Sequence, residues 1–135
     1  MQTFSLSFKL QIKATKIITT NTASLEEPFQ NLNILCLSRL YALSVGKFIQ
    51  SYYNKLLPNN FVDYFIPISS VHSHSRRQLT SNNVLLPRVN SSSRKCSLTF
   101  VGPKVWSSIS DDIKSSISFT FKWKLKKHLL YEKDA

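Results

Sequence analysis

The sequence is poor in acidic residues, glycine and cysteine. Its 135 residues contain 7 Asp and Glu against 18 Lys and Arg, with 2 glycines and 2 cysteines. So few glycines argue against the glycine-rich loops that cradle phosphate in nucleotide-binding proteins. Two cysteines cannot form a disulfide framework and suit a reducing compartment, which predicts an intracellular protein, nuclear or cytoplasmic. The apolar runs are far shorter than the roughly 20 residues of a transmembrane helix, so we expect no membrane span.

The residue types that carry catalysis or bind metals are also scarce. Asp111–Asp112 is an adjacent carboxylate pair, and because neighbouring side chains point apart, it indicates the acidic start of a short helix. His72 and His74 lack the further ligands that zinc requires. Cys36 and Cys96 are isolated and are expected to be small core residues. We therefore predict that the chain is not an enzyme and has no metal, cofactor or small-molecule substrate.

Positive charge is what the sequence has in excess. The net charge of +11 favours a polyanionic partner, which is nucleic acid, an anionic membrane surface or an acidic protein. Near the C-terminus Phe119, Phe121 and Trp123 alternate with lysines, a pattern that can hold single-stranded nucleic acid by stacking and phosphate attraction. The residues predicted to bind RNA or DNA are Arg76, Arg77, Arg88, Arg94, Lys95, Lys104, Lys122, Trp123, Lys124, Lys126 and Lys127.

Two periodic segments predict helices in the first half of the chain. Leu10, Ala14 and Ile17 are spaced as on one face of a helix near residues 8–20, although the alternation from Phe4 to Ile12 fits a strand. A longer helix is predicted over 38–57, with Ser38 as its N-cap and Pro58 as its stop signal. The apolar stripe predicted for this second helix comprises Leu37, Tyr41, Val45, Phe48, Tyr52 and Leu56.

The middle of the chain predicts less regular structure. Residues 69–83 are rich in Ser, His, Arg and Asn and predict a basic irregular loop. Val84–Val89 and Cys96–Val101 predict a short, loose β-ribbon. The pair Gly102–Pro103 then predicts a break, with Pro103 as the first residue of a short helix.

The last segment fits two structures. The strict alternation from Ile117 to Leu125 indicates a strand. Phe121, Leu125 and Leu129, spaced by four, indicate a helix near 119–130 with Ser118 as its N-cap. On propensity alone the two alternatives are nearly equal.

Several short blocks, taken in order, resemble a known protein family. They include Leu40–Phe48, Leu86–Val89, Phe100–Trp106 and Phe121–Leu130, and the sequence Gly-Pro-Lys-Val-Trp in the third is the most specific. Over about residues 8–130 the chain resembles the segment that follows the polymerase core in non-LTR, LINE-type (jockey-like) retrotransposon reverse transcriptases. The resemblance also favours the helix for the last segment, although Trp123 stands where a charged residue is more usual in the family.

The resemblance implies RNA-directed DNA polymerisation for the full-length family but none for this chain. The family's polymerases hold two metal ions with aspartates, commonly in a Tyr-x-Asp-Asp hairpin, and that motif is absent here. Asp111–Asp112 follows the Gly-Pro-Lys-Val-Trp block, which is the wrong place for it. The resemblance therefore implies a position within a larger protein, with that protein's polymerase core as a partner if it is present.

These observations predict one mainly α region over 1–135, with a long central helix, a basic loop, a short β-ribbon and a C-terminal helix. The predicted function is a non-catalytic fragment of a retrotransposon reverse transcriptase that keeps a basic surface for RNA or DNA. Two alternatives stay open. The first is a small helical module for protein interaction, and the second is a translated transposon remnant without a selected function.

Overall fold

The computed structural model describes residues 2–19, 27–71 and 84–132, and most of these residues are helical. The helices are α1 (Gln2–Thr19), α2 (Glu27–Asn31), α3 (Leu37–Tyr53), a 3-10 turn (Asn59–Phe61), α4 (Ile68–Val71), α5 (Ser92–Lys95), α6 (Leu98–Ser108), α7 (Asp111–Lys114) and α8 (Ser118–Tyr131). Within these described ranges there is no strand, and an isolated antiparallel bridge joins Pro67 to Val84. The mainly α fold is therefore confirmed.

The chain forms two compact units. The first comprises residues 1–43 with 126–135, and the second comprises residues 44–125. In the described segments, every helix is either too short or too polar to cross a lipid bilayer.

The first unit is held by side-chain amides as well as by apolar packing. Phe29, Leu35, Leu129 and Leu130 are buried in it. The amide of Gln11 on α1 bonds at both ends, because Nε2 donates to the carbonyl of Leu35 (3.0 Å) and Oε1 accepts from the backbone N–H of Leu37 (2.9 Å). A half-buried amide with both ends paired holds α1 in one rotation about its axis.

The start of α3 differs from the prediction. The helix begins at Leu37, so Ser38 lies inside its first turn and is not the N-cap. The Ser38 hydroxyl lies 3.2 Å from Sγ of Cys36. The backbone N–H of Leu37 has no partner within α3 and instead donates to Oε1 of Gln11 on α1. Capping rules that consider only neighbouring residues do not anticipate this bond.

In the second unit a core of large side chains surrounds the later turns of α3. Ile49, Trp106, Phe121 and Leu125 are almost completely buried there. Gln50 is also buried, and its Nε2 donates to the carbonyl of Ser116 at 3.2 Å.

Aromatic side chains cover one side of this second-unit core. Phe48 lies edge-on to Phe61 and Phe65, with ring centroids 5.5 and 6.2 Å apart. The segment from Phe61 to Phe65 thus packs on α3.

The apolar stripe predicted for α3 coincides only in part with the buried face of the helix. Tyr41 is exposed, and Leu56 lies beyond the helix end. The buried positions centre on Val45, Gly46 and Ile49, because Gly46 is where side chains of other helices approach the backbone most closely. A search for regularly spaced apolar residues does not count glycine, so it predicts the wrong buried face for α3.

The end of α3 also differs from the prediction. It ends at Tyr53, four residues before the predicted end, because Lys55 adopts a left-handed conformation (φ 56°). Two reversed hydrogen bonds accompany this conformation, from Leu56 N to Ser51 O and from Lys55 N to Tyr52 O. That pattern terminates a helix without proline.

The predicted β-ribbon is wrong. Residues 85–90 have no regular secondary structure, Val84 bridges to Pro67, and Leu85 N donates to Ile66 O at 2.8 Å. The other half, Cys96–Val101, forms a turn and the first residues of α6. Its β-branched and aromatic residues favour a strand, but burial of Gly102, Pro103 and Trp106 on the same helix overrides that local preference.

The predicted break at Gly102–Pro103 is also wrong, since both residues lie inside α6. A residue before proline normally avoids helical angles because its Cβ and N–H clash with the proline ring, and glycine has no Cβ. The same missing Cβ lets Phe65 and Ile49 approach Gly102 closely. The pair therefore continues the helix while allowing tight packing.

The predicted loop 69–83 begins as helix. Residues 68–71 form α4, where the Ser70 hydroxyl donates to the carbonyl of Pro67 at 2.7 Å. The rest of that prediction, residues 72–83, lies outside the described residues.

Candidate nucleic-acid interface

The lysine-rich segment near the C-terminus is a helix. Phe121, Leu125 and Leu129 on α8 are all buried, as their four-residue spacing predicts. The strand alternative is wrong, since Ile117 and Phe119 do not share the buried side and are 80% and 92% exposed. Burial of Phe121, Leu125 and Leu129 therefore favours the helix over the strand and determines which side chains of α8 face outward.

Aromatic rings and ammonium groups share the outer face of α8. Phe119 and Trp123 are four residues apart, so they lie on one side of the helix, and Trp123 is 62% exposed. Lys122 and Lys124 are exposed and lie about 100° of helix rotation to either side of Trp123. The Nζ of Lys124 donates to the Ser116 hydroxyl at 3.1 Å, which limits the motion of that side chain.

The last two predicted lysines of α8 lie in the part of the helix assigned to the first unit. Lys126 is half-buried and Lys127 is exposed. Beyond them, His128 Nε2 lies 3.9 Å from a carboxylate oxygen of Glu132.

The remaining predicted residues lie on other elements. Arg94 and Lys95 are exposed on α5, where the Ser91 side chain caps the helix by accepting from the Arg94 N–H. Lys104 is exposed on α6, with its ammonium 5.3 Å from the centre of the Phe100 ring. Arg88 is exposed on the irregular segment 85–90. Arg76 and Arg77 lie outside the described residues, as do His72 and His74.

The acidic residues of α7 have a structural role. Asp111 and Asp112 begin that helix, and a carboxylate oxygen of Asp111 lies 3.4 Å from Nζ of Lys114. The Lys114 ammonium also lies 5.7 Å from the centre of the buried Trp106 ring. The prediction of an acidic helix start agrees with this arrangement.

The cysteines differ from each other. Both are free thiols, but Cys36 is half-buried and Cys96 is exposed, so Cys96 is not the core residue that was predicted. The described residues contain no group of three or more His, Cys, Asp or Glu side chains that could hold a metal ion.

An aromatic cleft of about 430 Å³ lies at the end of α3, with Tyr52, Tyr53 and Phe61 among its lining residues. The Tyr52 hydroxyl lies 2.9 and 2.8 Å from the carbonyls of Val62 and Phe65, which share its single proton. The buried Tyr53 hydroxyl has no hydrogen-bond partner among the described residues, and its ring stacks on Trp106 at 5.5 Å. Burial, with a smaller contribution from Tyr52, raises the pKa of Tyr53 to about 12.

Sequence reasoning left two groups out of the site. Phe119 was recognised as interleaved with lysines but not included among the binding residues, although it is more exposed than Trp123. The lysines of α1, which are Lys9, Lys13 and Lys16, form a second exposed group outside the predicted site. Their spacing of four and three was a usable signal, because it places all three on one side of a helix.

No family model, no curated protein and no solved structure matches this chain.

Proposed function

We propose that the chain is a non-catalytic fragment of a LINE-type reverse transcriptase and that the outer face of α8 binds single-stranded RNA or DNA. One observation carries the binding half of the proposal: Phe119 and Trp123 are exposed four residues apart on one side of α8, with the exposed Lys122 and Lys124 about 100° of helix rotation to either side of Trp123. Hydrating exposed aromatic rings is unfavourable, and the core positions of α8 are already filled by other residues. Two exposed rings on one side of a helix are therefore typical of a binding surface.

The chemistry of this face suits an unpaired strand. Bases stack on aromatic rings whatever their sequence, while lysines neutralise the phosphates between them. Lysine is a flexible point charge and does not read base edges in a fixed geometry, so the face gives affinity with little sequence preference. Double-stranded nucleic acid hides its base faces and would engage the lysines alone.

The binding test is a fluorescence anisotropy titration of a labelled 12-nucleotide single-stranded RNA with the full chain at low salt. We expect micromolar binding, and we expect Trp123→Ala to weaken it about tenfold, since stacking is worth about 1–3 kcal/mol per base. Trp123→Phe keeps a ring and should retain most of the affinity. Tyr41→Ala, an exposed aromatic on α3, is the matched control and should bind as the unmodified chain does.

Two outcomes would reject the binding proposal. One is no binding at low salt. The other is equal affinity for the Trp123→Ala and Tyr41→Ala variants, which would show that charge alone attracts the strand. Thermal unfolding of each variant checks that these exposed substitutions leave the fold intact.

The origin of the chain has a separate test. Genomic DNA directly upstream of the codon for Met1 should encode decayed polymerase sequence, including a recognisable Tyr-x-Asp-Asp remnant. Upstream DNA without any polymerase coding sequence would contradict a fragment origin and would leave the binding proposal to its own experiment.

A further inference from the structure

Helix α1 faces its aliphatic side chains outward. Leu6, Leu10 and Ile17 are 62%, 58% and 79% exposed, while Thr15 is the one fully buried side chain described on this helix. The three aliphatic residues follow one another at intervals of four and seven, so they form one line along the helix. We call this line, which spans about 16 Å, the aliphatic face of α1.

The orientation of this face is fixed by polar contacts on the opposite side of α1. Gln11 bonds at both ends of its amide, to Leu35 and to Leu37. The buried Thr15 hydroxyl is satisfied within α1 itself, 3.1 and 3.0 Å from the carbonyls of Gln11 and Ile12, so this side of the helix can be buried without a partner from elsewhere. Rotating α1 to bury the aliphatic face would break the two Gln11 bonds and expose the half-buried Phe8, so the helix is held with its apolar side outward.

A row of lysines runs beside the aliphatic face. Lys9, Lys13 and Lys16 are all exposed, and each lies within about 100° of helix rotation of Leu6 and Ile17. The helix carries no Asp or Glu. A lysine stem can lie along apolar surface while its ammonium reaches water or an anion, so the row extends the aliphatic face and gives it a positive border.

We propose that α1 binds the surface of an anionic lipid bilayer, with Leu6, Leu10 and Ile17 in the acyl boundary and the three lysines at the headgroups. Charge complementarity with acidic headgroups and the aliphatic line together define an interfacial helix. A nucleic-acid strand fits this face poorly, because residues 5–19 of α1, whose side chains the structure describes, present aliphatic groups and no exposed ring for a base to stack on.

The test is co-sedimentation of the full chain with vesicles of 70% phosphatidylcholine and 30% phosphatidylserine, compared with vesicles of phosphatidylcholine alone. We expect binding to the anionic vesicles that weakens as salt is raised, and little binding to the neutral ones. Leu10→Gln/Ile17→Gln and Lys9→Gln/Lys13→Gln/Lys16→Gln should each weaken binding at least tenfold. Circular dichroism checks that both variants remain helical, which their exposed positions favour.

Controls on α8 and elsewhere separate this inference from the proposed function. Phe119→Ala/Trp123→Ala should sediment with anionic vesicles as the unmodified chain does, and Leu10→Gln/Ile17→Gln should bind RNA as the unmodified chain does. Lys47→Gln/Lys95→Gln/Lys122→Gln removes the same charge from exposed positions off α1 and should weaken vesicle binding much less than the α1 triple variant.

Three results would overturn the inference. The first is equal binding to neutral and anionic vesicles. The second is vesicle binding that is lost with the α8 variant and kept with the α1 variants. The third is a dimer in analytical ultracentrifugation that Leu10→Gln/Ile17→Gln dissociates, since the occupant of the aliphatic face would then be a second copy of the chain.

Discussion

A Cβ on Gly46 of α3 would lie 2.7 Å from Cδ2 of Leu125 on α8. The same Cβ would lie 3.4 Å from Cδ1 of Ile109. Leu125 is completely buried, so its methyl group cannot move away without disturbing the core. Gly46 is therefore the position that lets these side chains pack against the backbone of α3.

We expect Gly46→Ala to lower the free energy of unfolding by about 1–2 kcal/mol. The substitution gains about 1 kcal/mol of helix propensity, but overpacking of a filled core costs about 1–3 kcal/mol. Urea denaturation followed by circular dichroism measures the difference.

The double variant Gly46→Ala/Leu125→Val tests the cause of that loss. Valine lacks the δ-methyl group, so the double variant should be more stable than the sum of the single effects by about 1 kcal/mol. Additive effects would show that the contact with Leu125 is not what makes Gly46 necessary.

Gly102→Ala should also destabilise the chain, by about 1–3 kcal/mol. Its Cβ would lie 3.0 Å from Cε1 of Phe65 and 3.2 Å from Cδ1 of Ile49, and it would also clash with the ring of Pro103. Gly102→Ala/Pro103→Ala, compared with Pro103→Ala, separates the two causes, because the comparison corrects for the loss of the buried proline ring and isolates the clash with proline. We expect partial recovery, and complete recovery would show that packing against Phe65 and Ile49 contributes nothing.

Two adjacent tyrosines should respond oppositely to loss of the hydroxyl group. Tyr52→Phe should lower stability by about 1 kcal/mol, because it leaves the carbonyls of Val62 and Phe65 without this donor. Tyr53→Phe should raise stability by about 1 kcal/mol, because it removes a buried hydroxyl that has no partner among the described residues. Chemical denaturation of both variants at pH 7 makes the comparison, and equal effects would contradict it.

Alkaline pH should weaken the fold through Tyr53. Burial raises its pKa to about 12, whereas tyrosine in the unfolded chain ionises near its ordinary pKa of 10.0. Between these values the unfolded state has lost the proton and the native state still holds it, so stability falls as the pH rises through this window. The stability advantage of Tyr53→Phe should therefore grow between pH 10 and 12, and a constant advantage would contradict the raised pKa.

The salt dependence of RNA binding should identify the lysines that meet phosphate. Each phosphate contact with a single strand contributes about 0.7 to the slope of log K against log salt. Lys122→Gln/Lys124→Gln should reduce that slope by about 1–1.5, while the matched pair Lys13→Gln/Lys16→Gln on α1 should leave it unchanged. Phe119→Ala/Trp123→Ala should lower affinity with the slope unchanged, because stacking releases no counterions.

Sequence patterns predicted helices better than they predicted faces. The spacing of Phe121, Leu125 and Leu129 determined both the structure of α8 and its buried side, because these large residues fill one stripe. On α1 the spacing of Leu10, Ala14 and Ile17 correctly indicated a helix, yet that stripe is exposed. Periodicity reports that apolar residues share a side, and it carries no information on whether another element covers that side.

The other differences come from contacts that are distant in sequence. The backbone N–H of Leu37, in the first turn of α3, donates to the side chain of Gln11, which lies 26 residues earlier. Residues 96–101 have the composition of a strand, but the core around Trp106 favours the helix. For the candidate site, α8 could be found from its alternating lysines and aromatics. The exposure of Phe119 followed only once the helix was distinguished from the strand.

The exposed thiol of Cys96 follows α5 directly, next to Arg94 and Lys95, while the half-buried Cys36 lies 3.2 Å from the Ser38 hydroxyl. This difference in access gives the chain a natural attachment point for a maleimide fluorophore. A dye placed there would report from the second unit without any engineered cysteine, and Cys36→Ser would make the labelling unique.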